Sequence, residues 1–499
     1  MARHFNNAAW GGAVTGFRAI SGLANALLAV RLVGVESYGH LAVLLSLFLL
    51  YLSLHTSLYT VLVTRLMSPA VAEDAGVRAE ILASVSVWTA CSIAFLALAA
   101  GAAFWAVPSV FGLSKFQGMD LAFLAMGVLV SLQILAALQA AIIEASGRLD
   151  LAMKAQLLGP FLLLVMLGIS YLLHLTLTSL DYVFMLCGAA SVDLSLLWVI
   201  RRHGLRLMVF QTGAHASMAR MIALFRSGGV LQATMLMNLF LEPLNKFLLN
   251  HFVGPVAVTA YDLAMKVIWG IQGLFGAAMR VFLHLAHQDG AAVGRTYGQA
   301  IALIATPALI AHAVGAILLS WVAHRWVNMN AEQLVFFYAI ATLSNLGMIF
   351  VIPLYTSLIS RGDLGFIFKS QAILALINTV TSLLAIPFLG LLGAALGLLI
   401  ATAYNATAIY IRHGNLVGRL EGGESIFKRV AARFTATLVL FAIVLYMGVQ
   451  GEPLNIWSMA LLVCLFAIGI TESLSRRLLG GALPMMMTIT KGGKGNCDR

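Results

Sequence analysis

Charged residues are scarce in this sequence, and its few cysteines are spaced too far apart to act together. Only 10% of the 499 residues are charged, whereas about a quarter are charged in a typical soluble domain. With 61% hydrophobic residues and a mean hydropathy of +0.96, the composition excludes an ordinary soluble domain and indicates a membrane protein. No metal site, disulfide framework or cofactor is predicted, because no cysteine pair has the necessary spacing among Cys91, Cys187, Cys464 and Cys497.

Three further features are missing. The net charge is +11, but the basic residues punctuate apolar runs instead of clustering on a polar surface, so a nucleic-acid partner is excluded. No Walker lysine motif occurs, which argues against a self-contained ATP-driven pump. The first residues, MARHFNNAAWGG, lack a small-residue cleavage site after a short apolar core, so we expect an uncleaved first span.

Apolar runs long enough to cross a bilayer, about 20 residues each, recur along the whole chain. They predict an all-α integral membrane protein with about 14 transmembrane helices. The predicted spans are Trp10–Val33, Gly39–Val63, Ile81–Val107, Leu121–Ile143, Gln156–Leu173, Val183–Ile200, Val230–Phe252, Ala257–Val281, Gly298–Val322, Leu334–Leu358, Ser370–Leu389, Gly390–Ile411, Phe434–Gln450 and Ile456–Ser473.

The basic residues predict the orientation of these spans. If the N-terminus is cytoplasmic, 24 of the 30 Lys and Arg residues fall on the cytoplasmic side. Three fall on the other side, namely Arg31, Lys115 and Arg325, and three fall within spans. Because cytoplasmic loops are enriched in Lys and Arg, this asymmetry predicts that both termini are cytoplasmic.

Polar interruptions divide the chain into two lobes of six helices and a C-terminal extension. The expected divisions are a first lobe (1–200), a cytoplasmic linker with an interfacial helix (201–229), a second lobe (230–411), a basic loop (412–433), two extra spans (434–473) and a cytoplasmic tail (474–499). An even number of spans before the linker gives both lobes the same polarity, so they would be parallel repeats. The segments RLVGVESYGHLAV and HFVGPVAVTAYDLAM support the repeat, and we align Tyr38 with Tyr261.

Two acid–base pairs lie within the seventh and eighth spans. Glu242 precedes Lys246 by four residues, and Asp262 precedes Lys266 by four, so each pair shares one helix face. They are either packing salt bridges or the lining of a polar cavity, since an intramembrane charge is costly without a partner or water. Further polar residues share these faces: Asn238 and Asn245 on the seventh helix, and Trp269 on the eighth.

The first lobe has its own polar stripes. Arg18, Ser21 and Asn25 share one face of the first helix, and Arg18 has no acid within one turn of it. A stripe on the second helix consists of Tyr51, His55 and Tyr59, in which His55 is either a packing residue or lines a cavity. If helices one, two, seven and eight meet, they enclose a water-filled cationic cavity suited to a phosphate-bearing solute.

The segments RLVGVESYGHLAV and LEPLNKFLLNHFVGPVAVTAYDLAMKV, together with the order of spans, resemble the polysaccharide transporter family. This family contains the O-antigen and exopolysaccharide flippases of the multidrug/oligosaccharidyl-lipid/polysaccharide exporter superfamily. The resemblance implies a V-shaped fold of two pseudo-symmetric lobes in the bacterial inner membrane. It also implies transfer of undecaprenyl-diphosphate-linked oligosaccharide to the periplasmic leaflet by alternating access.

The resemblance further implies roles for individual residues. The diphosphate would be bound by Arg18, Lys246 and Lys266, with Arg31 and Arg280 at the rim. The sugar would contact the polar stripes, and Glu242, Asp262 or His55 could couple an ion gradient. Polymerase and chain-length components of a polysaccharide pathway are expected partners of a monomeric protein.

Three alternatives remain open at this stage. A peptidoglycan-precursor flippase would have the same span number, and a drug/cation antiporter of the same superfamily would have unpaired acids in its cavity. A membrane glycan polymerase or acyltransferase belongs to another class and would need a catalytic external loop or a His/Asp pair. The predicted outer loops are short, so the enzyme is the least favoured of these.

Overall fold

A computed structural model describes residues 2–66, 74–110, 120–204, 217–286, 308, 311–312, 314–323, 331–360 and 363–417. All regular structure in these ranges is helical. The helices are α1 (Ala2–Val33), α2 (Val35–Leu66), α3 (Ala75–Val110), α4 (Asp120–Ala145), α5 (Leu149–Leu172), α6 (Ser179–Gly204), α7 (Met218–Met237), α8 (Glu242–Phe252), α9 (Pro255–Ala286), α10 (Ala331–Ser360), α11 (Leu364–Leu389) and α12 (Leu391–Val417). Residues 314–323 are also helical, and a 3₁₀ turn, Asn238–Phe240, separates α7 from α8.

The chain is a multi-pass α-helical membrane protein, as the composition predicts. Within the described ranges, eight helices are long and apolar enough to cross a bilayer. Large apolar side chains such as Leu98 and Phe388 are exposed on the outside of the helices, where lipid would cover them. The two extra spans predicted at Phe434–Gln450 and Ile456–Ser473 lie outside the described residues.

The first six helices pack mainly against one another. α4 packs against α2 and α6, and α5 packs against α1 and α6. In the second half, α12 packs against α10 and α11, and α9 against α10. The two halves meet where α9 packs against both α1 and α2. These three helices therefore form the central contact of the molecule.

Two tight turns bring the central helices together. Gly34 joins α1 to α2 with a φ of +94°, and Gly254 joins α8 to α9 with a φ of +120°. Glycine adopts this left-handed conformation without steric cost, so the chain turns with one residue between α1 and α2 and two residues between α8 and α9. The quoted repeat segments, RLVGVESYG and HFVGPVAVTAY, contain these two glycines.

The seventh predicted span is broken. α7 ends at Met237 and α8 begins at Glu242, because Pro243 cannot donate a backbone hydrogen bond and its ring disfavours the preceding helical turn. The Asn378 side-chain amide of α11 donates a 2.7 Å hydrogen bond to the Phe240 carbonyl within the break. A side chain thus replaces a backbone donor, as is required inside a membrane.

Two other local expectations can be compared with the helices. The turn predicted between Pro387 and Gly390 is confirmed, since α11 ends at Leu389 and Gly390 has a φ of +56°. The interfacial helix predicted in the linker does not stand alone, because one helix runs from Met218 to Met237. The pattern of Met218 to Phe225 was read as a separate amphipathic segment, but Gly228 and Gly229 do not interrupt the helix.

Candidate functional site

Two acids and two lysines form a connected group at the packed hairpin of α8 and α9, which we call the ion cluster. Lys246 Nζ lies 2.6 Å from Glu242 Oε1 and 2.7 Å from Asp262 Oδ1. Lys266 Nζ forms a further ion pair with Asp262 Oδ2. Both salt bridges expected within single helices are therefore present, and the Lys246–Asp262 pair joins them across the hairpin. With all four groups ionised, the cluster has no net charge.

The four members differ sharply in exposure. The side chains of Asp262 and Lys246 are 3% and 4% exposed, whereas those of Glu242 and Lys266 are 30% and 37% exposed. Lys246 and Asp262 therefore form a packing salt bridge and do not line a water-filled cavity, which was the other role predicted for them. The attraction between the two charges offsets the free-energy cost of removing them from water. This pair forms only because α8 and α9 pack together, so it is not visible within either helix alone.

Tyr38 connects this cluster to the first half of the chain. Its hydroxyl donates a 2.7 Å hydrogen bond to Asp262 Oδ2 and accepts a 3.1 Å hydrogen bond from Lys266 Nζ. The ammonium of Lys266 also lies 5.7 Å from the centroid of the Tyr38 ring. Because Tyr38 is on α2, the contact is made across the interface between the two halves.

Arg18 lies at the middle of α1 and is exposed. Its Nη2 donates to the carbonyl of Gln156 at 3.4 Å and also to the side-chain Oε1 of Gln156 on α5. Pro160 follows Gln156 by four residues and has no N–H, so it cannot donate the helical hydrogen bond that this carbonyl would otherwise accept. Arg18 thus satisfies a backbone group at a proline in the neighbouring helix.

The surroundings of Arg18 contain further polar contacts. Asn25 donates to the Pro160 carbonyl at 3.4 Å, and Ser21 donates to the Arg18 carbonyl at 3.3 Å, and both side chains are buried. Asp193 on α6 accepts a 2.7 Å hydrogen bond from the Gly159 amide and lies near enough to Arg18 for electrostatic attraction. The first-lobe stripe therefore meets the proline region of α5.

Arg18 and Lys266 are at similar depths on two helices in contact. α1 and α9 run antiparallel, since a Cβ added to Gly270 would lie 3.1 Å from Ala19 Cβ and one added to Gly273 would lie 3.4 Å from Thr15 Cγ2. Lys266 is one turn from Gly270, and Arg18 adjoins Ala19. At 1.5 Å per residue, the two cations are separated by about 8 Å along the helix axes.

The aromatic stripe of α2 is held by hydrogen bonds to α3 and to α2 itself. The Tyr51 hydroxyl donates to the Ser92 carbonyl at 2.9 Å, and the Tyr59 hydroxyl lies 2.9 Å from Thr89 Oγ1. His55 Nδ1 lies 3.0 Å from the Tyr51 carbonyl, and the histidine is 4% exposed. These contacts favour the packing interpretation of His55.

The other predicted site residues are dispersed. Asn245 is buried and accepts a 3.3 Å hydrogen bond from Asn378, while Trp269 is exposed on α9. Arg31 is exposed in the last turn of α1. Asn238 lies in the 3₁₀ turn and Arg280 lies in α9, but their side chains are outside the described part of the structure.

Sequence reasoning did not assign functional roles to four residues of the site. Tyr38 served only to align the repeats, and Gln156, Asn378 and Asp193 were not singled out. A lone acid within the apolar span Val183–Ile200 is a signal that could have found Asp193. Tyr38, Gln156 and Asn378 have no such signal, because their roles arise from contacts between distant segments.

The geometry can be compared with that of known proteins. No family model matches the sequence, and no curated protein matches it. Among solved structures, the lipid II flippase MurJ in an inward closed conformation is similar, with a TM-score of 0.69 at 12% identity, covering 94% of this chain and 99% of that one. The chain therefore shares the fold of this solved flippase.

Multidrug resistance MATE transporters of the MOP superfamily show the same likeness. An inward-facing one has a TM-score of 0.66 at 16% identity, covering 81% of this chain and 95% of that one. An outward-facing one has a TM-score of 0.61 at 14% identity, covering 83% and 96%. The chain thus shares its helical fold with solved transporters in both an inward-facing and an outward-facing conformation.

Proposed function

We propose that this protein is a flippase that carries a saccharide linked to a polyprenyl diphosphate across the bacterial inner membrane. The observation that carries the proposal is the exposed residue Arg18, which lies midway along α1 and about 8 Å, along the helix axes, from Lys266, whose side chain is about one-third exposed. Two cations separated by about 8 Å along helices in contact suit the two phosphoryl groups of such a lipid.

The geometry refines the set of diphosphate-binding candidates. Lys246 is paired with Glu242 and Asp262, and its side chain is only 4% exposed, so a ligand could not reach it while the cluster is intact. Arg18 is exposed and the side chain of Lys266 is 37% exposed, and Arg31 remains a rim candidate at the end of α1. We therefore assign the phosphate site to Arg18 and Lys266.

The mechanism follows from the arrangement of the lobes. The lipid tail stays in the bilayer, the diphosphate binds at Arg18 and Lys266, and the saccharide occupies the space between the halves. Movement of one lobe against the other then exposes the site to the opposite leaflet, as in other alternating-access carriers. Of the candidates for ion coupling, Glu242 is the more exposed acid of the cluster, while Asp262 is held by two lysines.

Two saccharide sources share this chemistry. An O-antigen or exopolysaccharide repeat unit and a peptidoglycan precursor both carry a polyprenyl diphosphate, and MurJ, a structural neighbour, is a lipid II flippase. The phosphate site would bind both lipids in the same way, so selection between them depends on contacts with the saccharide. We favour the O-antigen or exopolysaccharide repeat unit, because the segments RLVGVESYGHLAV and LEPLNKFLLNHFVGPVAVTAYDLAMKV resemble the polysaccharide transporter family. The protein would then act as a monomer, with polymerase and chain-length components of the same pathway as its partners.

A reconstituted transport assay tests both the activity and the saccharide. Purified protein in liposomes is supplied with undecaprenyl-diphosphate-linked saccharide of either kind, and its transfer is measured as accessibility to an external modifying reagent. We expect transfer of the diphosphate lipid and none of the matching monophosphate. Arg18→Ala should reduce the rate at least about tenfold, as loss of a charge-assisted hydrogen bond does.

The matched control is Arg148→Gln, which removes a half-exposed arginine paired with Asp150 at the start of α5. This variant should transport at the rate of the unmodified protein. Equal transfer by Arg18→Ala and the unmodified protein would exclude Arg18 from the phosphate site. No transfer of either diphosphate lipid would exclude the flippase function itself.

The MATE neighbours make a drug/cation antiporter the second candidate. A cation site needs acids without basic partners, but Glu242 and Asp262 are both paired with lysine, and Asp193 lies near Arg18. The described residues therefore favour an anionic substrate. Transport of cationic dyes by the liposomes, unaffected by Arg18→Ala, would support the antiporter instead.

A further inference from the structure

The two glycine turns contact each other in a pseudo-symmetric way. Thr259, the fifth residue of α9, donates a 2.7 Å hydrogen bond to the carbonyl of Val35, the first residue of α2. Reciprocally, the carbonyl of Pro255, the first residue of α9, abuts Gly39, the fifth residue of α2. In the predicted orientation this contact lies at the outer end, so the structure is closed on that side.

These two contacts pair the first residue of each helix with the fifth residue of the other, which differs from the earlier alignment of Tyr38 with Tyr261. Counting from the first residue of each helix, Tyr38 corresponds to Val258, and Asp262 corresponds to Ala42. Val258 and Ala42 are buried and apolar, whereas Tyr38 and Asp262 form a buried hydrogen bond. Of the two positions that this numbering makes equivalent in the contact between α2 and α9, only the Tyr38–Asp262 position is polar. This polar position adjoins the ion cluster.

Lys266 is the member of this polar contact that a ligand can reach. Its ammonium has three donors, and the cluster accepts from it at two atoms, Asp262 Oδ2 and the Tyr38 hydroxyl. It is about one-third exposed and lies at the depth of Arg18. A diphosphate, which carries more charge than one carboxylate, competes well for such an ammonium.

From this geometry we infer that Lys266 couples substrate binding to the opening of the outer end. When Lys266 turns to a phosphate bound at Arg18, Asp262 loses one of its two cations and Tyr38 loses its donor. The remaining Tyr38–Asp262 hydrogen bond and the Val35–Thr259 contact then hold the two halves less strongly. Tyr38, Asp262 and Lys266 thus act as a latch released by the ligand. The inference rests on the proposed function for the identity of that ligand.

The latch is tested by a distance measurement between its two turns. Spin labels are attached to cysteines at Glu36 and Val256, which are exposed second residues of α2 and α9, in a protein otherwise without cysteine. Double electron–electron resonance then reports the distance distribution with and without undecaprenyl diphosphate in lipid nanodiscs. The unmodified sequence should show a short distance without the lipid and a second, longer distance with it.

Two variants separate the latch from a general packing role. Tyr38→Phe keeps the ring but removes the hydroxyl, so the longer distance should appear without lipid, with the open-to-closed ratio raised about tenfold. Lys266→Gln removes a cation from Asp262 and the donor to Tyr38, so the longer distance should appear without lipid and should not change when lipid is added. Lys266→Arg should keep the response of the unmodified protein to lipid. Each variant is compared by size-exclusion chromatography and thermal unfolding to confirm that it is folded.

The outcomes distinguish this inference from the proposed function. If the lipid binds but Lys266→Gln still opens as the unmodified protein does, the coupling through Lys266 is wrong. If Tyr38→Phe leaves the distance distribution unchanged without lipid, the latch itself is wrong. If undecaprenyl diphosphate does not bind, the proposed function fails, whereas the Tyr38→Phe measurement still decides whether the latch exists.

Discussion

Arg18 donates a hydrogen bond to the carbonyl of Gln156, the backbone acceptor that Pro160 leaves without a helical donor. An analogous arrangement occurs in the second half, where Asn378 donates to the Phe240 carbonyl at the break before Pro243. In both halves a side chain of a neighbouring helix satisfies the backbone near a proline. These prolines therefore place polar groups where the membrane would otherwise exclude them.

The side chain of Gln156 should position Arg18. Gln156→Leu leaves the backbone carbonyl but removes the Oε1 that also accepts from Nη2, so Arg18 loses one of its two contacts. We expect the apparent affinity for the diphosphate lipid to fall by about tenfold, while the maximal transport rate changes little. Transport rates measured over a range of lipid concentrations give the apparent affinity and the maximal rate separately.

The matched control is Gln133→Leu on α4. Gln133 is also partly buried, and its Oε1 has no hydrogen-bond partner among the described residues. This variant should keep the affinity of the unmodified protein. An equal loss in both glutamine variants would show that the Arg18–Gln156 contact has no particular role.

Gly159 should be intolerant of any side chain. A Cβ at this position would lie 2.5 Å from Asp193 Oδ2 and 2.7 Å from the Ala189 carbonyl oxygen, so α5 and α6 would have to separate. Gly159→Ala should destabilise the protein by about 1–3 kcal/mol, as overpacking does. Thermal unfolding in detergent checks this value.

The same helix offers the control. Gly168→Ala adds a Cβ that meets no atom within 4 Å, and alanine favours a helix over glycine, so its unfolding temperature should stay the same or rise. Similar losses at both positions would show that contact with α6 is not the cause.

The buried pair of Lys246 and Asp262 should be sensitive to the loss of one partner. Lys246→Met leaves Asp262 with Lys266 alone and Glu242 with no ammonium in the cluster. Breaking a buried pair costs about 3–5 kcal/mol. Arg148→Gln, which breaks a more exposed pair, should cost less than about 1 kcal/mol. Equal unfolding temperatures for the two variants would contradict the buried pairing.

The sequence was sufficient for the helices but not for the contacts between them. Most helices in the described ranges and the Glu242–Lys246 and Asp262–Lys266 pairs follow from hydropathy and helical spacing, which are local properties. The orientation inferred from the basic residues stays a prediction. The Lys246–Asp262 pair and the Tyr38–Asp262 hydrogen bond join segments 16 and 224 residues apart. No local pattern predicts them, so the sequence alone does not decide whether these charges pack together or line a cavity.

The repeat alignment failed for a related reason. Tyr38 and Tyr261 look equivalent when residue types are matched, but the helices begin immediately after Gly34 and Gly254, which sets the register. The positive φ of these glycines fixes where each turn ends. A shared tyrosine is a weaker guide to equivalence than the turn itself.

Gly39 should control how closely the two halves approach at the turns formed by Gly34 and Gly254. A Cβ there would lie 2.7 Å from the carbonyl carbon and 3.0 Å from the Cα of Pro255, so α2 and α9 could not keep their contact. Gly39→Ala should therefore lengthen the distance between labels at Glu36 and Val256, even without lipid. Gly22→Ala is the control, because its Cβ meets no atom within 4 Å and α1 keeps its packing. The close approach of Gly39 to Pro255 would have no role in closure if both alanine variants gave the distribution of the unmodified protein.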